Sequence, residues 1–132
     1  MNRIAHAAGL VAYSDRGSGP AIVLLHAGGS SSVQWNAVAQ HLETDFRLVL
    51  PDFWDFGQTG PWPGAAPLTH DDQAALVAAV VKAACISRYH LVGHSYGGAT
   101  AVRVVMRDPA AACSLILIEP MLAPLLAAAG DG

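Results

Sequence analysis

The chain has 132 residues, of which 53% are hydrophobic and 13% charged, and its formal net charge is −3. This length fits one domain, and the scattered basic residues exclude the Lys/Arg-rich surface of a nucleic-acid-binding protein. No apolar run approaches the roughly 20 residues of a membrane span, and residues 1–6 lack the apolar core of a secretory signal.

Strands are predicted from short apolar segments. A weak antiparallel pair covers residues 4–7 and 10–14, and a turn with two glycines and a proline follows at residues 15–20. Four later runs end in a polar or turn residue and predict strands over residues 21–25, 46–50, 89–92 and 114–118. Three of them are almost continuously apolar, which is typical of parallel strands buried on both faces. The remaining run contains Arg47, so one end of that strand is expected to be exposed.

Helices are predicted between these strands, because apolar residues recur at i, i+3, i+4 and i+7 over residues 35–42, 77–84 and 98–105. Ser31 with Gln34 favours a capping box ahead of the first helix. Thr69 and Asp72 precede the second helix, and Pro109 ends the third. Strand and helix therefore alternate, which predicts an α/β fold with a mostly parallel sheet flanked by helices.

Chemistry-bearing residues cluster where the predicted strands end. Ligands of open parallel sheets bind at the carboxyl ends of the strands. Here those ends carry four segments from different parts of the chain: residues 26–29, Asp52, residues 93–97 and residues 119–120. The topology brings all four to one edge, and this convergence carries more weight than any single motif.

Residues 93–97 read Gly-His-Ser-Tyr-Gly and match G-x-S-x-G between a strand and a helix. The chain must turn within a few residues, and flanking glycines leave room for a strained serine. The hydroxyl of Ser95 then stands at a helix N-terminus, where backbone N–H groups favour developing negative charge. The alternative is a glycine-rich turn with an incidental serine.

Residues 26–29, His-Ala-Gly-Gly, follow the first long strand. A loop there can aim a backbone N–H at a carbonyl oxygen and form a two-donor oxyanion hole with the N–H of Tyr96. Taken alone, the segment is equally consistent with a plain turn.

These segments together resemble the α/β-hydrolase family, and the resemblance runs nearly the whole length of the chain. Residues 26–28 stand at the family's oxyanion segment, and residues 52–59 at its Asp-x-x-Gly-x-Gly-x-Ser loop. The resemblance implies that Ser95 is the nucleophile and that Gly28 and Tyr96 supply the oxyanion N–H groups. The chain is expected to be the N-terminal part of such a domain, truncated after about the sixth strand, with residues 121–132 as a possible start of a cap.

The chain departs from the family pattern at two glycine positions. Ala27 replaces a glycine of the oxyanion segment, which is tolerable if its φ is negative. Asp55 replaces a glycine of the next loop and puts the usual geometry of that loop in question. His26, Trp54 and Phe56 are candidates for lining the substrate pocket, with ordinary loop packing as the alternative for the two aromatic residues.

The family's catalytic histidine and acid are the residues that this sequence matches least well. The family order is nucleophile, acid, histidine, and no histidine follows Ser95. In the resemblance, residues 93–97 stand at the family's nucleophile elbow, and the helix that follows them is the elbow helix. Glu119 follows the strand after the elbow helix and is a possible acid, although a strand-end carboxylate near the pocket is the favoured interpretation. None of the six histidines is a persuasive base, and no ligand spacing indicates a metal site.

Two hypotheses follow. The first is a serine hydrolase that cleaves ester, amide or related acyl bonds of small apolar substrates, needs no cofactor, and draws its base from a downstream histidine. The second is an inactive truncated hydrolase that binds a ligand or another chain through an exposed sheet edge. Cys85 and Cys113 are expected to be buried free thiols, which favours a cytoplasmic location. The sequence leaves the oligomeric state and the identity of the substrate open.

Overall fold

The computed structural model of the protein describes residues 1–121, so the predicted start of a cap lies outside them except for Met121. The strands within that range are β1 Asn2–His6, β2 Gly9–Gly17, β3 Ala21–Leu25, β4 Arg47–Pro51, β5 Tyr89–His94 and β6 Ala112–Ile118. The helices are α1 Asn36–Leu42, α2 His70–Ala83 and α3 Tyr96–Arg107, with short 3-10 helices at Ser32–Trp35 and Pro109–Ala111. None of these helices is long and apolar enough to cross a membrane.

The six described strands form one sheet in the order β1-β2-β4-β3-β5-β6. The β1–β2 and β2–β4 pairs are antiparallel, whereas β3 pairs in parallel with both β4 and β5, and β5 with β6. This arrangement confirms the mostly parallel α/β sheet that the sequence predicts. Since β3, β4, β5 and β6 run in the same direction, their carboxyl ends share one edge, and the candidate site lies there.

The core lies on both faces of the sheet because successive strand residues point to opposite sides. Val23, Leu25 and Leu91 belong to the cluster that includes residues of α2 and α3. Leu24 and Leu48 belong to the cluster on the other face, with residues of the first 3-10 helix and α1. Burial of each such side chain contributes about 1.5–3 kcal/mol. Double-sided burial explains why the central strands read as unbroken apolar runs.

The last strand, β6, departs from this pattern. Leu115, Ile116 and Ile118 are 36%, 52% and 42% exposed, so the expectation that this run is buried on both faces is wrong for residues 1–121. Within that range β6 has a neighbour on one side only, β5. An edge strand has less packing around it than a central strand of the same composition, and the local sequence does not reveal which of the two a run will become.

The helix starts agree only partly with prediction. Thr69 caps α2 because its side chain accepts a hydrogen bond from the N–H of Asp72, and the Asp72 carboxylate accepts one from the N–H of Thr69. Ser31 caps the first 3-10 helix through the N–H of Val33, not that of Gln34. The predicted box at Ser31 and Gln34 is therefore wrong: the chain winds there as a tight 3-10 turn, and the Gln34 side chain bonds elsewhere.

Both cysteines are free but exposed, which corrects the expectation of burial. Cys85 has a φ of 58° directly after α2, and its N–H donates to the carbonyl of Lys82 while that of Ile86 donates to Val81. This left-handed helix ending is usually glycine and leaves the side chain at the surface. Cys113 is exposed because it lies on β6.

Candidate active site

The turn between β5 and α3 positions Ser95 with φ 54° and ψ −114°, a strained conformation for any residue with a side chain. Hydrogen bonds hold this backbone from both sides. The Ser95 N–H donates to the carbonyl of Ile118 at 3.0 Å, and its carbonyl accepts from the N–H groups of Gly98 and Met121 at 2.9 and 3.0 Å. The half-buried serine therefore stands at the carboxyl edge of the sheet, on the strained turn that the sequence predicts.

Two glycines permit this turn through close backbone approach. A Cβ at Gly93 would lie 2.5 Å from the carbonyl oxygen of Gly97. A Cβ at Gly97 would lie 2.5 Å from the carbonyl oxygens of both Leu25 and His26. Neither glycine has a positive φ, so the requirement is space rather than backbone conformation. The elbow is thereby pressed against the end of β3 and the first residue of the oxyanion segment.

The oxyanion segment lies against the elbow at Gly28, where a Cβ would be 3.4 Å from the Cβ of Tyr96. In residues 1–121, neither the N–H of Gly28 nor that of Tyr96 donates a hydrogen bond. Tyr96 is the first residue of α3, where a helix has no internal partner for its N–H. Two unpaired backbone donors thus belong to segments in contact beside Ser95.

His26 is fully buried and holds the oxyanion segment in place. Its Nδ1–H donates to the carbonyl of Ala27 at 2.8 Å, and its Nε2 accepts from the N–H of Phe53 at 3.1 Å. Burial lowers the pKa of His26, which favours this neutral tautomer. Because a peptide group is planar, fixing the Ala27 carbonyl also fixes the direction of the Gly28 N–H. Both ring nitrogens are thereby occupied by backbone groups.

The two departures from the family pattern have different consequences. Ala27 has no positive φ, so its methyl group is accommodated as predicted. Asp55 has a φ of 73°, so it adopts the left-handed conformation that favours glycine. Its carboxylate also accepts a hydrogen bond from the N–H of Trp62 at 2.8 Å. The loop therefore keeps a glycine-type backbone in spite of the side chain.

The buried side chain of Asp52 stabilises the same loop, residues 52–59. It is 1% exposed, and its two carboxylate oxygens accept hydrogen bonds from the N–H groups of Ser32 and Gln58, each at 2.8 Å. The close approach of Gly57 leaves no room for a Cβ against this carboxylate. Asp52 thus connects the loop after β4 to the segment after β3, both at the carboxyl edge of the sheet.

The two aromatic pocket candidates lie in different places. Trp54 is fully buried, and its ring packs against that of Trp62 at 5.7 Å and lies close to Gly9, the first residue of β2. Phe56 is partly buried, with ring centroids 5.6 Å from His26 and 6.0 Å from Tyr96. Of the two, only Phe56 lies beside His26 and Tyr96, next to the candidate oxyanion donors.

Two residues of α2 reach the site without having been singled out in the sequence. Gln73 is fully buried and donates through Nε2 to the Tyr96 hydroxyl at 3.2 Å, while its Oε1 accepts from the N–H of Trp54 at 2.9 Å. His70 lies with its ring 4.5 Å from that of Tyr96 and its Nδ1 2.8 Å from Oγ1 of Thr100. Burial is the main cause that lowers the pKa of His70. The sequence carried one signal that Gln73 is buried: it lies four positions before Val77 and therefore on the same, apolar face of α2.

Glu119 follows β6 with a φ of 44° and an exposed side chain. Its carboxylate makes no hydrogen bond to any of residues 1–121. The next residue, Pro120, packs so closely on Gly98 that a Cβ there would be 2.9 Å from the proline ring. The structure therefore brings the segment after β6 to the elbow helix, completing the convergence of the four segments.

The chain was also compared with known proteins. A sequence profile of the alpha/beta hydrolase fold matches residues 20–130. The chain belongs to the α/β-hydrolase family. A crystal structure of an α/β-hydrolase fold protein from Burkholderia ambifaria superposes on it with a TM-score of 0.81 and 31% identity, over 91% of this chain and 44% of that chain.

The relatives of this α/β-hydrolase chain include a hydrolase and an esterase whose names give different substrates. It is 30% identical over 120 residues to a 2-hydroxy-6-oxo-6-phenylhexa-2,4-dienoate hydrolase of Comamonas testosteroni, covering 84% of this chain and 40% of that enzyme. It is 33% identical over 102 residues to a pimeloyl-[acyl-carrier protein] methyl ester esterase of Aeromonas salmonicida, covering 77% of this chain and 38% of that enzyme. The chain thus spans about 40% of the length of the curated relatives it matches.

Proposed function

We propose that Ser95 is the nucleophile of a serine hydrolase that cleaves ester, amide or related acyl bonds of small, largely apolar molecules. The backbone N–H groups of Gly28 and Tyr96 form its oxyanion hole. One observation carries the proposal: these two donors have no hydrogen-bond acceptor within residues 1–121, and their segments touch beside the strained serine. The names of the two relatives contain a phenylhexadienoate and a pimeloyl methyl ester, whose chains are largely hydrocarbon, which supports the apolar character of the proposed substrate.

The reaction has two steps. The Oγ of Ser95 attacks the acyl carbon, its proton passes to a general base, and the carbonyl oxygen becomes an oxyanion held by the two N–H groups. The bond to the leaving alcohol or amine then breaks, and the leaving group takes up the proton. Water attacks the acyl-enzyme in the same way and releases the carboxylic acid and free Ser95. Each oxyanion donor is worth about 10²–10³ in rate.

The general base is proposed to be a histidine outside these 132 residues, since residues 96–132 contain none. We propose that residues 1–132 are the N-terminal part of the hydrolase domain and that a cap begins near residue 121. Glu119 is one candidate for the acid that orients the histidine. Without a base a serine hydroxyl is a poor nucleophile, and removal of the histidine from a comparable serine enzyme costs ~10⁶ in turnover.

The test is covalent labelling with a fluorophosphonate probe. The protein is expressed with whatever coding sequence continues in frame after Gly132, and the modified peptide is identified by mass spectrometry. Labelling is expected at Ser95, abolished by Ser95→Ala and unchanged by Ser87→Ala, a matched control on the turn before β5. Labelling that persists in the Ser95→Ala protein would refute the assignment of the nucleophile.

The second candidate is an inactive hydrolase fragment that binds a ligand or another chain. The exposed apolar side chains of β6, with the edge of this strand open within residues 1–121, favour it. Sequencing onward decides between the two: an in-frame Asp and His support the enzyme, whereas a stop codon followed by unrelated sequence supports the fragment. Because both thiols are free, we also propose a cytoplasmic location.

A further inference from the structure

The side chain of Gln34, in the first 3-10 helix, links the two halves of the candidate oxyanion hole. Its Oε1 accepts a hydrogen bond from the N–H of Ala27 at 2.7 Å. Its Nε2 lies 3.1 Å from Nδ1 of His94, the residue directly before Ser95. One amide therefore contacts both the oxyanion segment after β3 and the nucleophile elbow after β5.

The chemistry of the partners determines how this amide is oriented. The N–H of Ala27 can only donate, so the amide oxygen of Gln34 must face it. The amide nitrogen then faces His94 and donates to Nδ1, which must be unprotonated. If the amide turned over, two donors would meet at Ala27 and that hydrogen bond would be lost. The link therefore has one direction.

We propose that Gln34 is a positioning residue of the hydrolase, setting the distance between the Gly28 N–H and the Ser95 elbow. This inference rests on the proposed function of Ser95. His26 fixes the direction of the Gly28 N–H within its own loop, but it has no bond to the elbow. The Gln34 amide is the side-chain hydrogen-bond link between the two segments within residues 1–121. Two donors from separate segments must converge on one oxygen, and a misplacement of about 1 Å can cost 10² in rate.

The half-buried Gln34 and the edge-on ring of Trp35, 6.4 Å from that of His94, show that this link is packed rather than free in solvent. The ring of Trp35 belongs to the core cluster on the α1 face of the sheet. The 3-10 helix that carries Gln34 is therefore anchored in the core, and a short side chain at position 34 would leave both partners without their bond.

The test compares Gln34→Met, which has a similar length and neither bond, with Gln34→Glu, which keeps an acceptor for the Ala27 N–H. The control is Gln40→Met, the same change at an exposed residue of α1. Fluorophosphonate labelling of Ser95 is measured at several probe concentrations to separate maximal rate from probe affinity. Amide hydrogen exchange at Ala27 is measured in parallel by NMR.

In Gln34→Met the maximal labelling rate is expected to fall roughly tenfold to a hundredfold with unchanged probe affinity, since the oxyanion forms only in the transition state. Exchange at Ala27 is expected to be at least about tenfold faster, because its hydrogen bond is gone. For Gln34→Glu, the maximal labelling rate and the exchange rate at Ala27 are both expected to stay within about threefold of the wild type. The carboxylate still accepts from the Ala27 N–H, and His94 can change tautomer and donate to it. Gln40→Met matches the wild type.

Labelling by Gln34→Met at the wild-type rate overturns the positioning role, as does slow labelling that Gln34→Glu does not rescue. The failure of the proposed function has a different signature, namely a wild-type protein that is not labelled at Ser95. The positioning role then falls with it, although Ala27 exchange in the Met variant still reports whether the hydrogen bond exists.

Discussion

Replacing Gly97 by alanine tests how closely the elbow and the oxyanion segment are pressed together. The added Cβ would lie 2.5 Å from two backbone oxygens, those of Leu25 and His26, and ordinary contact begins at 3.4 Å, so the segments must separate by about 0.9 Å (3.4 − 2.5). Overpacking costs about 1–3 kcal/mol, and the upper end applies because both oxygens belong to backbone at the end of a central strand. At about 3–5 °C per kcal/mol for a domain of this size, the melting temperature falls by roughly 9–15 °C.

The assay is thermal and urea unfolding followed by circular dichroism, with Gly60→Ala as the matched control. A Cβ at Gly60 would lie 3.7 Å from the nearest atom, the carbonyl oxygen of Leu10, without a positive φ. That variant is expected to change the free energy of unfolding by less than about 1 kcal/mol, and it stabilises if the lost freedom of the unfolded chain dominates. Equal unfolding curves for the two variants would refute the close packing described here.

Three further predictions concern the loops around the site. Burial lowers the pKa of His26 from 6.5, so the unfolded chain takes up a proton on this side chain before the folded protein does. The free energy of unfolding therefore decreases as the pH falls below about 6.5. Between about pH 7.5 and about pH 5.5, urea unfolding should show a smaller decrease in this free energy for His26→Asn than for the wild type. Asp52→Asn leaves one of the Ser32 and Gln58 N–H groups without an acceptor and is expected to cost about 1–3 kcal/mol in the same assay, whereas an unchanged midpoint would contradict the two hydrogen bonds. Asp55→Val places a β-branched residue at a φ of 73° and should lower the free energy of unfolding by about 1–3 kcal/mol. Asp55→Gly relieves the backbone strain but removes one exposed hydrogen bond, so its free energy of unfolding should stay within about 1 kcal/mol of the wild type.

Local patterns were sufficient for the elements and for the elbow. The run at residues 21–25 predicts β3 with the observed bounds, and the period of α2 and α3 is visible because each helix covers the core with one face. The G-x-S-x-G segment predicts the strained serine, since a strand-to-helix turn of that length has few solutions. Each of these features is decided by residues a few positions apart.

Partners of buried and polar side chains were decided only by the fold. Gln34 fits a capping box with Ser31 by spacing, yet its amide bonds to Ala27 and His94, the latter 60 residues away. Gln73 reaches the Tyr96 hydroxyl across the space between α2 and the elbow. Leaving a buried polar group without a hydrogen bond costs about 1–3 kcal/mol. A polar side chain therefore bonds to whichever partner the assembled fold brings within reach, however far apart the two residues are in the chain.

The sequence by itself therefore determined the α/β order, the family and the position of the serine elbow, all of which follow from periodicity and short-range sterics. The tertiary structure decided that His26 is bonded to backbone on both ring nitrogens, that Trp54 packs against the β1–β2 hairpin and that β6 carries exposed apolar residues. The physical reason is range. Periodicity and turn sterics act between residues close in the chain, whereas burial and hydrogen-bond pairing depend on which distant segments arrive beside a residue when the sheet assembles.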